Sequence, residues 1–309
     1  MTATVNPERV LKDLRDLWQQ LAQEQSETGV LRACAMTLIV IAEDEADCEH
    51  VRQMVGVLMH DHPSRAIVLQ AAEGAGVTAR VFAECWMPFG RNQQICSEGI
   101  EMTADAADLG EVARLLLPLI VPDLPVVLWC RGPRFFSTRY FDPLFGLAQK
   151  IIADSESAPN PRGAIAVLKE LRSRGARIAD LAWTRLTGWR QAVANLFDDA
   201  PLQVSEVKIA YAGPLSTRIL YLAAWMEMSV PSARVSLDHV QGDPGIRAIT
   251  LSGKDGSATV RRTEGCMIEV RAGGRVWGAV MPPADAESVM RAELSITGAD
   301  AVFESILKW

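Results

Sequence analysis

The sequence predicts an α/β protein, a mixed sheet packed with helices, followed by a smaller α+β domain rich in antiparallel hairpins. Three patterns carry that expectation. Strand-length apolar runs alternate with helical stretches up to about residue 155. Short alternating strands joined by tight turns such as GKDG (253–256) and AGGR (272–275) fill most of the chain after residue 230. The turn-rich stretch SESAPNPRG (155–163) lies between the two regimes. The division is therefore expected as 1–160 and 161–309, with the boundary falling within 160–200.

Each element has a local reason. Val10, Leu14, Leu17, Trp18 and Leu21 recur at helical spacing and give an amphipathic helix near the start. AMTLIVIA (35–42) reads as a buried strand, the acid-led EDEADCEHVRQMVGVLMHDHP as a helix closed by proline, and SRAIVLQAA (64–72) as the next strand, which together make a β-α-β unit. VTARVFAECW (77–86) and RNQQICSEGIEM (91–102) alternate and are joined by MPFG, the pattern of a hairpin. A helix through ADLGEVARLLLPLI, a strand at PVVLWC (125–130), a short helix at FDPLFGLAQ and a strand at KIIADS (150–155) complete the first part. Beyond it come a helix at AIAVLKELRSRG, a strand at VSEVKIAYAG, a helix at LSTRILYLAAWMEMS, five short strands and two closing helices.

Composition excludes whole classes of partner. The chain has 309 residues, 49% of them hydrophobic and 22% charged, enough for one large or two modest cores. A net charge of −7 disfavours nucleic acid and anionic lipid, which select a basic face. The charged start MTATVNPERVLKDLRDLWQQL lacks the apolar core of a signal peptide, so a cytoplasmic location is expected. LLLPLIVPDLPVVLWC (115–130) is too short to span a membrane and is interrupted by Pro118, Pro122, Asp123 and Pro125. The six cysteines are scattered without a C-x-x-C pair, which in a reducing compartment reads as buried thiols.

No catalytic set emerges. Gly74, Gly76 and Ala79 spell G-x-G-x-x-A, but the residues that follow read as a strand, whereas a dinucleotide loop must open a helix. His60 and His62 flank Asp61 with no third ligand at metal-site spacing, so no metal and no cofactor are expected. Ser64 and Arg65 begin a strand at an expected sheet edge, and Arg131 and Arg134 follow PVVLWC, beyond a strand's carboxyl end. These four are candidate anion ligands, each arginine being equally suited to an internal ion pair.

DLAWTRLTGWRQAVANLFDD (180–199) matches no catalytic motif. Thr187 is a good N-cap for a helix whose stripe is Trp189, Val193, Leu196 and Phe197, with Trp183 and Arg185 in the loop before it. The purely structural alternative has both tryptophans packed, with Arg185 and Arg190 beside Asp180, Asp198 or Asp199.

With VLRACAMTLIVIA (30–42), HPSRAIVL (62–69), RNQQICSEGI (91–100) and LLLPLIVPDLPVVLWCRGP (115–133), this stretch resembles the OpcA family of glucose-6-phosphate dehydrogenase assembly proteins, in order from about residue 30 to 230. The resemblance implies a non-catalytic subunit that binds glucose-6-phosphate dehydrogenase and activates it allosterically in the oxidative pentose phosphate pathway. Trp183, Arg185 and Arg190 are then the expected partner contacts, since Trp and Arg dominate interfaces. Some members are linked to redox control through cysteines, which makes Cys34 and Cys96 candidates. Here Ser97 follows Cys96 where relatives carry a second cysteine, and Gly188 stands where the family often has proline. The competing reading is a sensor or enzyme for a sugar phosphate or nucleotide, using Arg65, Arg91, Arg131 and Arg134.

Overall fold

The computed structural model describes residues 5–24, 29–72, 74, 77–88, 93–105, 109–137, 139, 141–199, 203–281 and 284–308. The chain forms two compact units, one of residues 1–154 with 171–179, the other of 155–170 with 180–309. Instead of the single boundary expected, the chain passes from one unit to the other more than once between 154 and 180.

The first unit opens with helix α1 (Pro7–Glu24), whose Val10 and Leu14 are buried. Strands β1 (Val30–Arg32) and β2 (Met36–Ala42), helix α2 (Glu45–Leu58) and strand β3 (Ser64–Ala72) follow. Strands β4 (Thr78–Trp86) and β5 (Gln94–Asp105) form the expected antiparallel pair, with Phe82 opposite Gly99. Then come α3 (Leu109–Leu116), β6 (Val126–Cys130), the short α4 (Arg134–Ser137) and α5 (Asp142–Phe145), and β7 (Lys150–Ala153). Helix α6 (Pro161–Ser173) precedes β8 (Ile178–Asp180), a three-residue strand that the sequence pattern did not disclose.

The sheet runs β1-β5-β3-β2-β6-β7-β8, with β4 on the other side of β5. Leaving β1 aside, β2 has β3 on one side and β6 on the other, both parallel to it. The chain moves outward in one direction through β3 and β5, then returns to β2 and moves outward in the other. That is the order of a doubly wound nucleotide-binding sheet, except that antiparallel β4 occupies the step between β3 and β5. Parallel strands buried on both faces need continuous apolar runs, and Ile39, Val40, Ile67, Val68 and Leu128 are completely buried.

Glu98 on β5 is 1% exposed and accepts from Trp18 Nε1, Arg32 and Arg65. Arg65 Nε lies 2.6 Å from Glu98 Oε1, and its other guanidinium arm reaches the Leu119 carbonyl at 2.7 Å. Burial alone would raise the Glu98 pKa, but the Trp18 hydrogen bond and the charges of Arg65 and Arg32 outweigh it and hold the carboxyl below the usual range.

The second unit carries α7 (Leu181–Thr184), α8 (Thr187–Asp199), β9 (Val204–Ala212), α9 (Thr217–Ser229), β10 (Arg234–His239), β11 (Gly245–Gly253), β12 (Gly256–Arg262), β13 (Met267–Ala272), β14 (Arg275–Val280), α10 (Ala286–Ser295) and α11 (Ala301–Lys308). Its sheet runs β10-β9-β11-β12-β13-β14. The pairs from β9 through β11 to β14 are antiparallel, as the hairpin pattern required, while β10 joins β9 in parallel after the α9 crossover. Among the described residues, no helix is long and apolar enough to cross a membrane.

Breaking the Glu98 cluster from either side has an expected cost. Arg65→Ala strands a buried carboxylate and is expected to destabilise the chain by about 3 to 5 kcal/mol in denaturant titration. Because the native pKa of Glu98 is depressed, its contribution is complete above the unfolded value of about 4.3 and is lost as pH falls through the native one. Glu98→Gln is expected to flatten that part of the stability-against-pH curve.

Candidate functional site

Open α/β sheets hold ligands beyond the carboxyl ends of their strands, where the winding reverses. Here that point lies between β2 and β6, and it is filled with acid. The residues after β2 are Glu43, Asp44 and Glu45, and Asp44 caps α2 by accepting the N–H of Asp47 at 2.8 Å. The Asp47 carboxylate accepts from the Glu43 N–H and pairs with Arg131, whose NH2 lies 2.6 Å from Oδ1. Gly132 follows at φ +74°, and a Cβ there would stand 1.8 Å from the Glu43 carboxyl carbon. The Glu43 carboxylate also accepts the backbone N–H of Arg134 at 3.3 Å. A phosphate at this helix start would meet carboxylates instead of the glycine-rich backbone such a group requires, so a dinucleotide does not fit in the doubly wound manner.

Of the candidate anion ligands, Arg65 and Arg131 are employed internally. Ser64 and Arg65 are not on a sheet edge, because β3 lies between β5 and β2 and both residues are buried. The Arg65 guanidinium is consumed by Glu98 and Leu119, and Arg131 by Asp47 and by stacking over Trp129 at 4.9 Å. Arg134 begins α4 on the surface. Of the glycine motif, Gly74 sits in a turn and Ala79 in strand β4, while Gly76 and also Arg91 lie outside the described residues. His60 packs against Trp86 at 4.8 Å, and among the described residues no three His, Cys, Asp or Glu side chains converge on a metal position.

The cysteine expectation needs correction too. Cys96 is bonded to Cys85, which faces it across the β4–β5 ladder. Eleven residues separate the two in sequence, so the pair escaped a reading based on adjacent thiols. Cys34 is a free, half-buried thiol that donates to the Met36 carbonyl, and burial raises its pKa.

In the second unit, Asp180 caps α7. Its carboxylate accepts from the Ala182 N–H at 2.9 Å, from the Ser155 N–H at 3.1 Å and from the Tyr221 hydroxyl at 2.8 Å. Burial, then the Asp180 charge, push the Tyr221 pKa well up, so that phenol stays a donor. Trp183 is therefore in a helix and not in an accessible loop. It is 2% exposed, stacks on Phe303 at 5.6 Å and donates Nε1 to Asp300 at 2.7 Å. Asp300 uses its other oxygen to take the N–H groups of Val302 and Phe303, so one carboxylate starts α11 and fixes the tryptophan.

Arg190 lies 3.8 Å over the Trp183 ring, and desolvation lowers its pKa despite the nearby Asp300. Arg185 Nε donates to the Ala284 carbonyl. The side chains of Asp198 and Asp199, two of the acids expected beside these arginines, lie outside the described residues. Thr187 is the first residue of α8, and its hydroxyl donates back to the Thr184 carbonyl at 2.8 Å, so it does not accept as an N-cap. Trp189, Val193 and Leu196 are buried as expected, whereas Phe197 is 36% exposed.

The same stretch lines a cavity of about 310 Å³. Arg185, Thr187 and Trp189 meet Arg218, Arg262 and Ser288 around it. Arg218 is paired with Glu156 at 2.7 Å. Sequence reasoning missed Arg218 and Arg262. For Arg262 a signal existed, since alternation along β12 puts it on the side of buried Ala258 and Val260.

Comparison with known proteins agrees with the resemblance. A family described as the glucose-6-phosphate dehydrogenase subunit N-terminal domain matches residues 55–170, and one described as its C-terminal domain matches 176–307. The OxPP cycle protein OpcA of Nostoc punctiforme is 28% identical over 204 residues, covering 63% of this chain and 43% of its own length. That of Synechocystis sp. is 27% identical over 191 residues, covering 59% and 40%. The chain thus spans less than half the length of these two curated relatives. In fold, it is similar to the 3-ketoreductase KijD10 of Actinomadura kijaniata, solved with NADP and TDP-benzene. The TM-score is 0.51 and the identity 10%, over 88% of this chain and 94% of that one.

Two measurements test the placement of these groups. Trp183→Ala is expected to lower stability by about 3 to 5 kcal/mol, as loss of a large core aromatic does. Reduction of Cys85–Cys96 is expected to lower it by about 3 kcal/mol through restored chain entropy, while Cys34→Ser leaves the melting temperature within about 1 °C, as a change outside any bonded pair does.

Proposed function

The chain belongs to the OpcA family of glucose-6-phosphate dehydrogenase assembly proteins of the oxidative pentose phosphate cycle, and on that premise we propose that it is a non-catalytic subunit that binds glucose-6-phosphate dehydrogenase and activates it. The observation that carries the non-catalytic part is the acid-filled crevice between β2 and β6. The doubly wound sheet is retained, yet Glu43, Asp44 and Asp47 stand where a nucleotide enzyme of this topology receives phosphate. A fold without its reactive site is consistent with a surface used for binding, since function resides in sites and not in folds.

In this reading the protein works in the cytoplasm beside its enzyme. Of the three expected contacts, Arg185 and Arg190 retain part-exposed side chains and remain in the proposal. Trp183, being buried, contributes by holding Arg190 in place.

The test is titration of the purified chain into glucose-6-phosphate dehydrogenase from the same source, read by light scattering behind size exclusion and by initial rate. A larger species and a faster rate are expected, with no turnover of glucose 6-phosphate by the chain alone. An enzyme whose mass and rate are unchanged at tenfold excess of the chain would refute the proposal.

A further inference from the structure

The second unit contains a built but unassigned charge. Arg262 lines the 310 Å³ cavity, its Nε is buried without a hydrogen-bond partner among the described residues, and its NH2 makes a weak contact to the Met281 sulfur at 3.8 Å. Arginine carries five donors and is charged at any physiological pH, so leaving such a group half-buried without an acceptor is costly. Arg65 and Arg131, by contrast, are satisfied by Glu98 and Asp47, while Arg190, whose Nε is also buried without a partner, lies over the Trp183 ring.

The surroundings say what the missing acceptor is. Arg185 and Arg218 line the same cavity, and no Asp or Glu among the described residues does so, in a chain whose net charge is −7. Glu156 offsets the charge of Arg218, while the buried Arg262 Nε keeps a donor that an anion would take. Hydroxyls of Thr187 and Ser288 add polar groups, while Trp189 and Ile246 give an apolar wall. The volume is at the lower end for small-molecule sites, and leaves room for an organic body beside one anionic group.

From this geometry we propose that the second unit binds a small phosphate monoester, its phosphoryl group held by Arg262 with Arg185 and Arg218, and its polyol or apolar body against Trp189 and Ile246. This site is distinct from the strand-end arginines of the first unit, and it shares Arg185 with the proposed enzyme contact.

Isothermal titration of the full chain with glucose 6-phosphate as the probe, beside inorganic phosphate and sulfate, tests the assignment. The sugar phosphate is expected to bind at least tenfold more tightly than either inorganic ion. Arg262→Gln is expected to weaken it at least tenfold. Ala292→Phe, which fills the cavity without removing a charge, is expected to do the same and keeps the test valid if Arg262→Gln fails to fold. No binding by the wild type at millimolar probe, equal affinity for sulfate and the sugar phosphate, or an affinity unchanged in a folded variant would each overturn the proposal.

Discussion

A carboxylate cannot stay buried and ionised without partners, and that constraint organises both units. Glu98 and Asp180 are each 1% exposed. Glu98 gathers Trp18 from α1, Arg32 from β1 and Arg65 from β3, so three elements distant in sequence are fixed to one strand. Asp180 does the same with two backbone N–H groups and the Tyr221 hydroxyl. Around that second node, Trp183, Tyr221 and Phe303 pack ring to ring. Thr184 reaches a second buried carboxylate, Glu293 on α10, at 2.7 Å.

The same constraint explains why Arg65 and Arg131, of a residue type that usually announces a binding site, are taken up internally in the first unit. Arginine at a strand end is equally a phosphate ligand and a counter-ion, and the chemistry is decided by whether an acid arrives first. Asp47 arrives from the first turn of α2 and Glu98 from a neighbouring strand, so Arg131 and Arg65 are neutralised by the protein itself. At Arg262, on the inward side of β12, among the described residues the Nε stays without a hydrogen-bond partner and no Asp or Glu lines the cavity it borders there.

Likeness of fold and membership of a family therefore point in different directions, and each has its own reach. The sheet order and the similarity to a ketoreductase, at 10% identity, concern the fold alone. The two family matches, over 55–170 and 176–307, concern this chain's own sequence and set its biochemical context. After β2 the sheet carries Glu43, Asp44 and Asp47, with Asp47 paired to Arg131.

Periodicity and apolar runs were sufficient for most of the longer elements, though not for β8 or α7. The β-α-β unit at 36–72, the β4–β5 pair and the terminal hairpins follow from alternation, turn residues and burial demands that act within a few residues of each other. The family was equally legible, through five segments in fixed order. Sequence alone could not decide which residues meet. Cys85 and Cys96 are brought together by strand register, Trp183 is buried by an Asp300 that lies 117 residues further on, and β8 is held by neighbours rather than by any pattern of its own three residues. The fate of each arginine was settled in the same way. Local sequence fixes the charge and the face it lies on, but the acid that does or does not face it comes from elsewhere in the chain, and only tertiary packing supplies it.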